Sequence, residues 1–156
     1  MEGDALKVLD RLRRLCSRRE YCCQDILKKA SEALDGDKAQ AQEILEVLKS
    51  EKYVDDLRYA SAYARDKASI AGWGEVKIRY MLSAKGISKD VIAQALEEID
   101  AGRAESRLEK LLENKWKSLM EDPQGKIKLI RFALGRGYGY EEVSELITRI
   151  CRDNRR

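Results

Sequence analysis

The sequence contains no histidine and only one proline among its 156 residues. Histidine is the most common general base and metal ligand, so its absence excludes Ser-His-Asp catalysis, Cys-His catalysis and histidine–zinc sites within this chain. A single proline and few β-branched stretches also argue against a β-sandwich or a β-barrel. We therefore expect a helical protein that is not an enzyme.

Long apolar runs and export signals are missing as well. No apolar run approaches the roughly 18–20 residues that a membrane-spanning helix needs. The first residues, MEGDALKVLD, lack the basic and apolar regions of a signal peptide. The four cysteines form no CxxC pair, so we expect free thiols, a cytoplasmic location, no metal and no cofactor.

The charge balance is only mildly basic. Lys and Arg number 31 against 28 Asp and Glu, which gives a net charge of +3. This excess is smaller than a dedicated DNA-coating protein would carry. With 44% apolar residues the chain can bury a core, so extensive disorder is not expected.

Nearly every segment has the apolar spacing of an amphipathic helix, and the pattern predicts nine helices and no strand. The first helix shows the i, i+3, i+4, i+7 spacing in Ala5, Val8, Leu9, Leu12, Leu15 and Cys16. Ser17 and Glu20 have the spacing of a capping box, which predicts a second helix from about Arg18 to Lys29. Other predicted helix starts are Asp37, Asp55, Ser88 and Asp122-Pro123, and the last of these opens a helix with Ile127, Ile130 and Leu134 toward the core.

The helix ends recur with a long period. Lys85-Gly86 closes one helix after Ile78, and Arg136-Gly137 closes another after Leu129. We interpret the chain as three tandem three-helix repeats, residues 1–53, 54–102 and 103–156. Because units of this size are small for independent stability, neighbours should pack in series into an elongated array, straight or curved.

The sequence offers no active site. The carboxylate pairs, such as Asp55-Asp56 and Glu141-Glu142, are adjacent on helices and point about 100° apart, so they do not share a site. The Gly135-x-Gly-x-Gly139 segment follows no strand and is typical of a helix terminus, not of a phosphate loop.

Basic and aromatic side chains remain as candidates for binding. Arginine and tyrosine are enriched at interface hot spots, and arginine binds carboxylates and phosphates in bidentate fashion. The candidate contact residues are Arg58, Arg65, Lys77, Arg79, Lys85, Arg131 and Arg136. The alternative is that Tyr59, Tyr63 and Tyr80 seal grooves between helices while the basic residues are only solvated, with Trp73 as a packing plug.

Three segments resemble the RecX family, regulators of the bacterial RecA recombinase. They are Glu51-Lys52-Tyr53-Val54-Asp55-Asp56-Leu57-Arg58-Tyr59-Ala60, then Gly72-Trp73-Gly74-Glu75-Val76-Lys77-Ile78 with Leu82 and Lys85-Gly86-Ile87, and Leu129-Ile130-Arg131-Phe132-Ala133 with Arg136-Gly137-Tyr138. The first repeat departs from the family pattern, because Lys29-Ala30 and Asp35-Gly36-Asp37 replace a tighter Lys-Gly junction.

The resemblance implies a non-enzymatic protein that binds along the RecA–DNA filament and inhibits recombinase activity in DNA repair and recombination. It implies the RecA filament as partner, with DNA contacted directly or through the filament, and we expect a monomer. Two alternatives stay open: a plain helical DNA-binding module, and an adaptor that binds no nucleic acid. Naked DNA affinity that falls steeply with salt would favour the first alternative.

Overall fold

The computed structural model describes residues 1–153, and all of the regular structure in this range is helical. Nine helices and no strand occur among these residues, so the prediction of an all-α fold is confirmed. Positions 154–156 of the predicted third repeat lie outside the described residues. The helices are α1 Gly3–Cys16, α2 Cys23–Ala33, α3 Lys38–Ser50, α4 Asp56–Ser69, α5 Glu75–Ala84, α6 Lys89–Glu97, α7 Ala101–Lys117, α8 Gly125–Gly135 and α9 Tyr140–Asp153.

The chain divides into two compact units. The first comprises residues 1–62 and 82–95, and the second comprises residues 63–81 and the chain from residue 96 onward. The division into repeats at 53/54 and 102/103 stays a prediction.

Each unit has its own apolar core. Leu12, Ile26 and Ile44 are at most 1% exposed in the first unit, and Leu129 and Ile147 are fully buried in the second. Burying one such side chain stabilises the fold by about 1.5–3 kcal/mol. The apolar spacing of the sequence therefore identifies the core-facing side of most helices correctly.

Three of the predicted helix caps are confirmed. The Asp37 carboxylate accepts a hydrogen bond from the Gln40 N–H at 3.1 Å, and Asp55 accepts one from the Arg58 N–H at 3.1 Å. The Ser88 hydroxyl accepts one from the Val91 N–H at 3.3 Å. These contacts satisfy N–H groups that a helix leaves without a partner in its first turn.

The predicted capping box at Ser17 and Glu20 is wrong. Ser17 follows the last residue of α1, and its hydroxyl donates to the Arg13 carbonyl oxygen at 2.9 Å. Glu20 accepts a hydrogen bond from the Arg58 guanidinium instead of from a local N–H. The second helix consequently begins at Cys23, because a contact from a distant part of the chain competes with the local cap.

The helix predicted to start at Asp122-Pro123 begins later, at Gly125. Asp122 accepts a hydrogen bond from the Gln124 N–H at 2.8 Å and so shapes the turn before the helix. The predicted core positions in α8 are also partly wrong, because Ile127 is 52% exposed and Leu134 is 43% exposed. The buried face of this helix instead contains Leu129 and Ala133.

A basic residue–glycine pair lies at a helix junction in each unit. In the second unit, the carbonyl oxygens of Arg136 and Gly137, just after α8, accept hydrogen bonds from the N–H groups of Gly74 and Val76 at 2.8 and 2.9 Å. The end of one helix thus supplies acceptors for free donors at the start of α5, with favourable alignment of the helix dipoles.

The corresponding junction in the first unit joins the residues after α5 to the start of α2. The Lys85 ammonium lies 3.1 Å from the Asp25 carboxylate, and the Cys22 thiol lies 3.8 Å from the Lys85 carbonyl oxygen. Gly86 and Gly137 both have positive φ, +76° and +96°, which a residue with a side chain rarely adopts. The repeated basic residue–glycine pair therefore lies beside the start of another helix in each unit, with main-chain hydrogen bonds in the second unit and side-chain contacts in the first.

Candidate interaction surface

Arg58 contacts the chain's own backbone. Its two terminal nitrogens donate to the carbonyl oxygens of Lys52 and Tyr53 at 3.0 and 3.1 Å, and its Nε donates to Glu20. The hydrogen bond to Glu20 raises the pKa of the Arg58 guanidinium. With its three nitrogens engaged, Arg58 fixes the connection between α3 and α4, and its part in partner binding stays a prediction.

Lys85 and Arg136 also make internal contacts. The hydrogen bond to Asp25 raises the pKa of the Lys85 ammonium, and the pair joins the residue after α5 to α2. Arg136 donates to the Ala71 carbonyl oxygen at 3.1 Å, and the Tyr138 hydroxyl donates to Gly72 at 3.0 Å. These contacts satisfy carbonyl groups of the turn that leads into α5.

Arg65 is exposed and Lys77 is half-buried, and their contacts are with other side chains. Arg65 lies 3.2 Å from Glu98 with both side chains about half exposed, an arrangement that contributes little to stability. The Lys77 ammonium lies 4.3 Å from the centre of the Trp73 ring, and the Lys67 ammonium lies 4.7 Å from it. Trp73 also packs edge-on against Tyr63 at 6.3 Å, so it is a packing residue flanked by two cations.

Arg79 and Arg131 are exposed, and neither side chain has an ion pair or hydrogen bond with the described residues. Each lies beside exposed apolar side chains on its helix. Val76 is 58% exposed and Tyr80 is 72% exposed on the outer side of α5. We call residues Val76, Arg79 and Tyr80 the Arg79 face, and residues Ile127, Arg131 and Leu134 the Arg131 face.

The two faces have one position in common and differ in the place of the arginine, because Arg79 follows the buried Ile78 by one residue and Arg131 follows the buried Leu129 by two. Val76 precedes the buried Ile78 by the same spacing by which Ile127 precedes the buried Leu129. Both faces combine a cation with exposed apolar surface, which is the composition expected of an interface hot spot. The structure therefore separates these two arginines from the candidates that make internal contacts.

The interpretation that all three tyrosines seal grooves holds for Tyr59, which is 8% exposed, but is wrong for Tyr80. The exposed apolar residues Val76 and Ile127 were not among the candidates from the sequence. A helical projection could have identified them, since residues two positions from a buried Ile or Leu point about 200° away from it.

Chemically reactive groups are scarce in residues 1–153. No group of three potential metal-ligating side chains occurs among them, and no helix of this range is long and apolar enough to span a membrane. All four cysteines are free thiols, as predicted. Burial and the Asp56 carboxylate raise the pKa of the Cys23 thiol to about 12, so it remains protonated and poorly nucleophilic at neutral pH.

Comparisons with known proteins agree with the resemblance in the sequence. Residues 55–96 match the model of the second three-helix domain of RecX, and residues 104–147 match that of the third. The Arg79 face lies in the first match, and the Arg131 face lies in the second. A regulatory protein RecX from Clostridium tetani is 28% identical over 153 residues, which cover 96% of this chain and 66% of that protein.

A RecX from Clostridium botulinum is 38% identical over 107 residues, covering 66% of this chain and 50% of that protein. The chain thus spans half to two thirds of the length of these curated relatives. The crystal structure of RecX from Lactobacillus salivarius has the same fold, with a TM-score of 0.85 at 20% identity over 96% of this chain and 98% of that one. The two domain matches together cover more than half of the sequence, and the chain belongs to the RecX family of regulatory proteins.

Proposed function

We propose that this protein binds the RecA–DNA filament and inhibits recombinase activity, with the Arg79 face and the Arg131 face as its principal contacts. The observation that carries the proposal is that each RecX domain match has exposed apolar side chains beside an exposed arginine that makes no ion pair or hydrogen bond with residues 1–153. Such a surface can bind an acidic protein patch or a phosphate group without catalytic chemistry.

A filament is a suitable ligand for this arrangement because it repeats the same surface along its length. Two similar contact faces on one chain can engage two copies of that surface. The second contact then forms at a high effective concentration, so affinity increases without any strong single contact. We propose that the chain acts in this way as a monomer in the cytoplasm, through three helical repeats at 1–53, 54–102 and 103–156.

The remaining candidates divide into two groups under this proposal. Arg65 and Lys77 are accessible enough to add secondary contacts. Arg58, Lys85 and Arg136 support binding indirectly, since they hold the ends of helices in place.

The test is recombinase ATPase activity on single-stranded DNA, titrated with this protein. The variant Arg79→Glu/Arg131→Glu should require at least tenfold more protein for half-inhibition. A matched control is Lys38→Glu/Lys110→Glu, which changes the net charge equally at exposed positions outside both faces. The control should inhibit like the unmodified protein, and both variants should keep the helical circular dichroism spectrum.

Equal inhibition by the two folded variants would contradict the assignment of the faces, and no inhibition by the unmodified protein would contradict the proposed function. The alternative of a plain DNA-binding module is supported by one observation, the two ammonium groups beside Trp73. That alternative predicts tight binding to naked DNA that Lys67→Glu/Lys77→Glu abolishes and salt weakens steeply. The filament proposal predicts a clear preference for RecA-coated DNA.

A further inference from the structure

The second unit contains an open cleft of about 880 Å³ that the two arginine faces do not line. Its floor is apolar and includes Trp73, Ile78, Leu108 and Leu146. Ile78 and Leu108 are 0% and 3% exposed, so the floor is part of the packed core and does not depend on mobile side chains.

The edge of the cleft is acidic, although the protein as a whole is basic. Five glutamates and three arginines line it: Glu75, Glu97, Glu105, Glu142, Glu145, Arg107, Arg149 and Arg152. Arg149 pairs with Glu109 at 3.3 Å and Arg152 pairs with Asp153 at 3.2 Å, whereas Arg107 has no ion pair or hydrogen bond with the described residues.

The carboxylates of the cleft are mostly unpaired. Glu142 accepts a hydrogen bond from the Gly139 N–H at 3.3 Å. The other four glutamates have no hydrogen bond or ion pair from their carboxylates to the described residues. An apolar floor with an excess of free carboxylates favours a ligand that is apolar on one side and cationic on the other.

The excess of glutamates over arginines in the lining favours a cationic ligand over an anionic one. Nucleic acid would bring phosphates next to these carboxylates. A small polar ligand would need buried polar partners, yet none of the unpaired buried polar side-chain atoms in residues 1–153 belongs to the cleft lining. By contrast, two turns of an α-helix, about 11 Å long and about 10 Å across, occupy roughly 850 Å³, which matches the cleft.

We propose that this cleft binds a basic amphipathic helix of a partner protein, with apolar side chains on the floor and Lys or Arg beside the glutamates. Recognition of an amphipathic helix in an apolar groove is an established mode of peptide binding. The proposal goes beyond inhibition of the recombinase, since it gives the second unit a separate protein-binding site.

The probe is a phage-displayed library of random 16-residue peptides, selected on the intact protein. We expect enrichment of peptides with Lys or Arg and with Leu, Ile or Phe at i, i+3 or i+4, and i+7. The most enriched peptide, labelled with fluorescein, should bind at least tenfold more weakly to Glu97→Gln/Glu105→Gln/Glu145→Gln in fluorescence anisotropy. It should also bind more weakly as NaCl rises.

The matched control is Glu32→Gln/Glu43→Gln/Glu121→Gln, which removes the same number of exposed carboxylates outside the cleft. It should bind the peptide within twofold of the unmodified protein, and both triple variants should retain the helical circular dichroism spectrum. Several results would overturn the proposal: no selective enrichment, enrichment of acidic peptides, or equal affinity for the two triple variants. A dimer in analytical ultracentrifugation that dissociates only with the cleft variant would place a second copy there and would likewise overturn it.

Discussion

Replacement of Gly137 by alanine should destabilise the protein through two separable effects. The first is conformational, because Gly137 has φ +96° and residues with a Cβ are strained there by about 1–2 kcal/mol. The second is steric. A Cβ on Gly137 would lie 2.8 Å from the Lys77 backbone nitrogen and 3.0 Å from its Cα, and closer still to its Cβ. Overpacking against atoms that cannot rotate away costs about 1–3 kcal/mol.

Other glycines of the same chain isolate each effect. Gly36 has φ +84° with no atom within 4 Å of an added Cβ, so Gly36→Ala measures the conformational cost alone. Gly74 has no positive φ, but a Cβ there would lie 2.5 Å from the Gly137 carbonyl oxygen, so Gly74→Ala measures the steric cost. Gly135 has neither constraint, and alanine at the end of α8 should be neutral or stabilising by up to about 1 kcal/mol.

The assay is urea denaturation of the four single variants, followed by circular dichroism at 222 nm. We expect Gly137→Ala to lower the free energy of unfolding by about 2–5 kcal/mol. Gly36→Ala should lose about 1–2 kcal/mol from conformation alone, and Gly74→Ala about 1–3 kcal/mol from overpacking alone. A loss at Gly137 no larger than that at Gly36 would refute the steric argument, and a neutral Gly36→Ala would refute the conformational one.

Two further predictions concern Arg58 and Tyr138. Arg58→Ala should lower the free energy of unfolding by about 1–2 kcal/mol, because two backbone carbonyls lose a charged donor, whereas Arg65→Ala should cost less than about 1 kcal/mol. Equal losses in urea denaturation would contradict this assignment of roles. Burial, and secondarily Glu142, raise the pKa of Tyr138 above its usual value of 10.0. The neutral hydroxyl of Tyr138 therefore stabilises the fold fully below the pKa that Tyr138 has in the unfolded chain, and this stabilisation disappears as pH rises through the pKa in the folded protein. Between pH 9.5 and 11 the unmodified protein should therefore lose stability faster than Tyr138→Phe in urea denaturation at each pH, and parallel losses would contradict the prediction.

The parts of the fold that depend on residues close together in the sequence could be predicted from the sequence. Apolar spacing in the first helix predicted six core residues, of which Ala5, Val8, Leu9 and Leu12 are buried and Leu15 and Cys16 are half-buried against the same core. The cap at Asp37 was predicted because its partner N–H is only three residues away. Such signals are local, so one sequence contains them in full.

The sequence predictions failed where a residue that is distant in the sequence binds a side chain that was expected to make a local contact. Glu20 has the correct spacing for a capping box, but Arg58 binds its carboxylate. The prediction of contact residues was limited in the same way. In sequence, Lys85 and Arg136 resemble surface cations, and only the folded chain shows that they make internal contacts. The exposed Arg79 could not be separated from them until the structure placed Asp25 and the Ala71 carbonyl beside the others.

The junction between the end of α8 and the start of α5 has a consequence for the evolution of the family. Two of its hydrogen bonds, from the N–H groups of Gly74 and Val76, join main-chain atoms only and so do not depend on the surrounding side chains. Arg136 and Tyr138 add side-chain hydrogen bonds to the same junction. Selection against side chains should then be concentrated at two positions, Gly74 and Gly137, where an added Cβ meets backbone atoms. The main-chain part of this connection leaves side chains other than Arg136 and Tyr138 open to change, so the surface nearby can vary while the junction is kept.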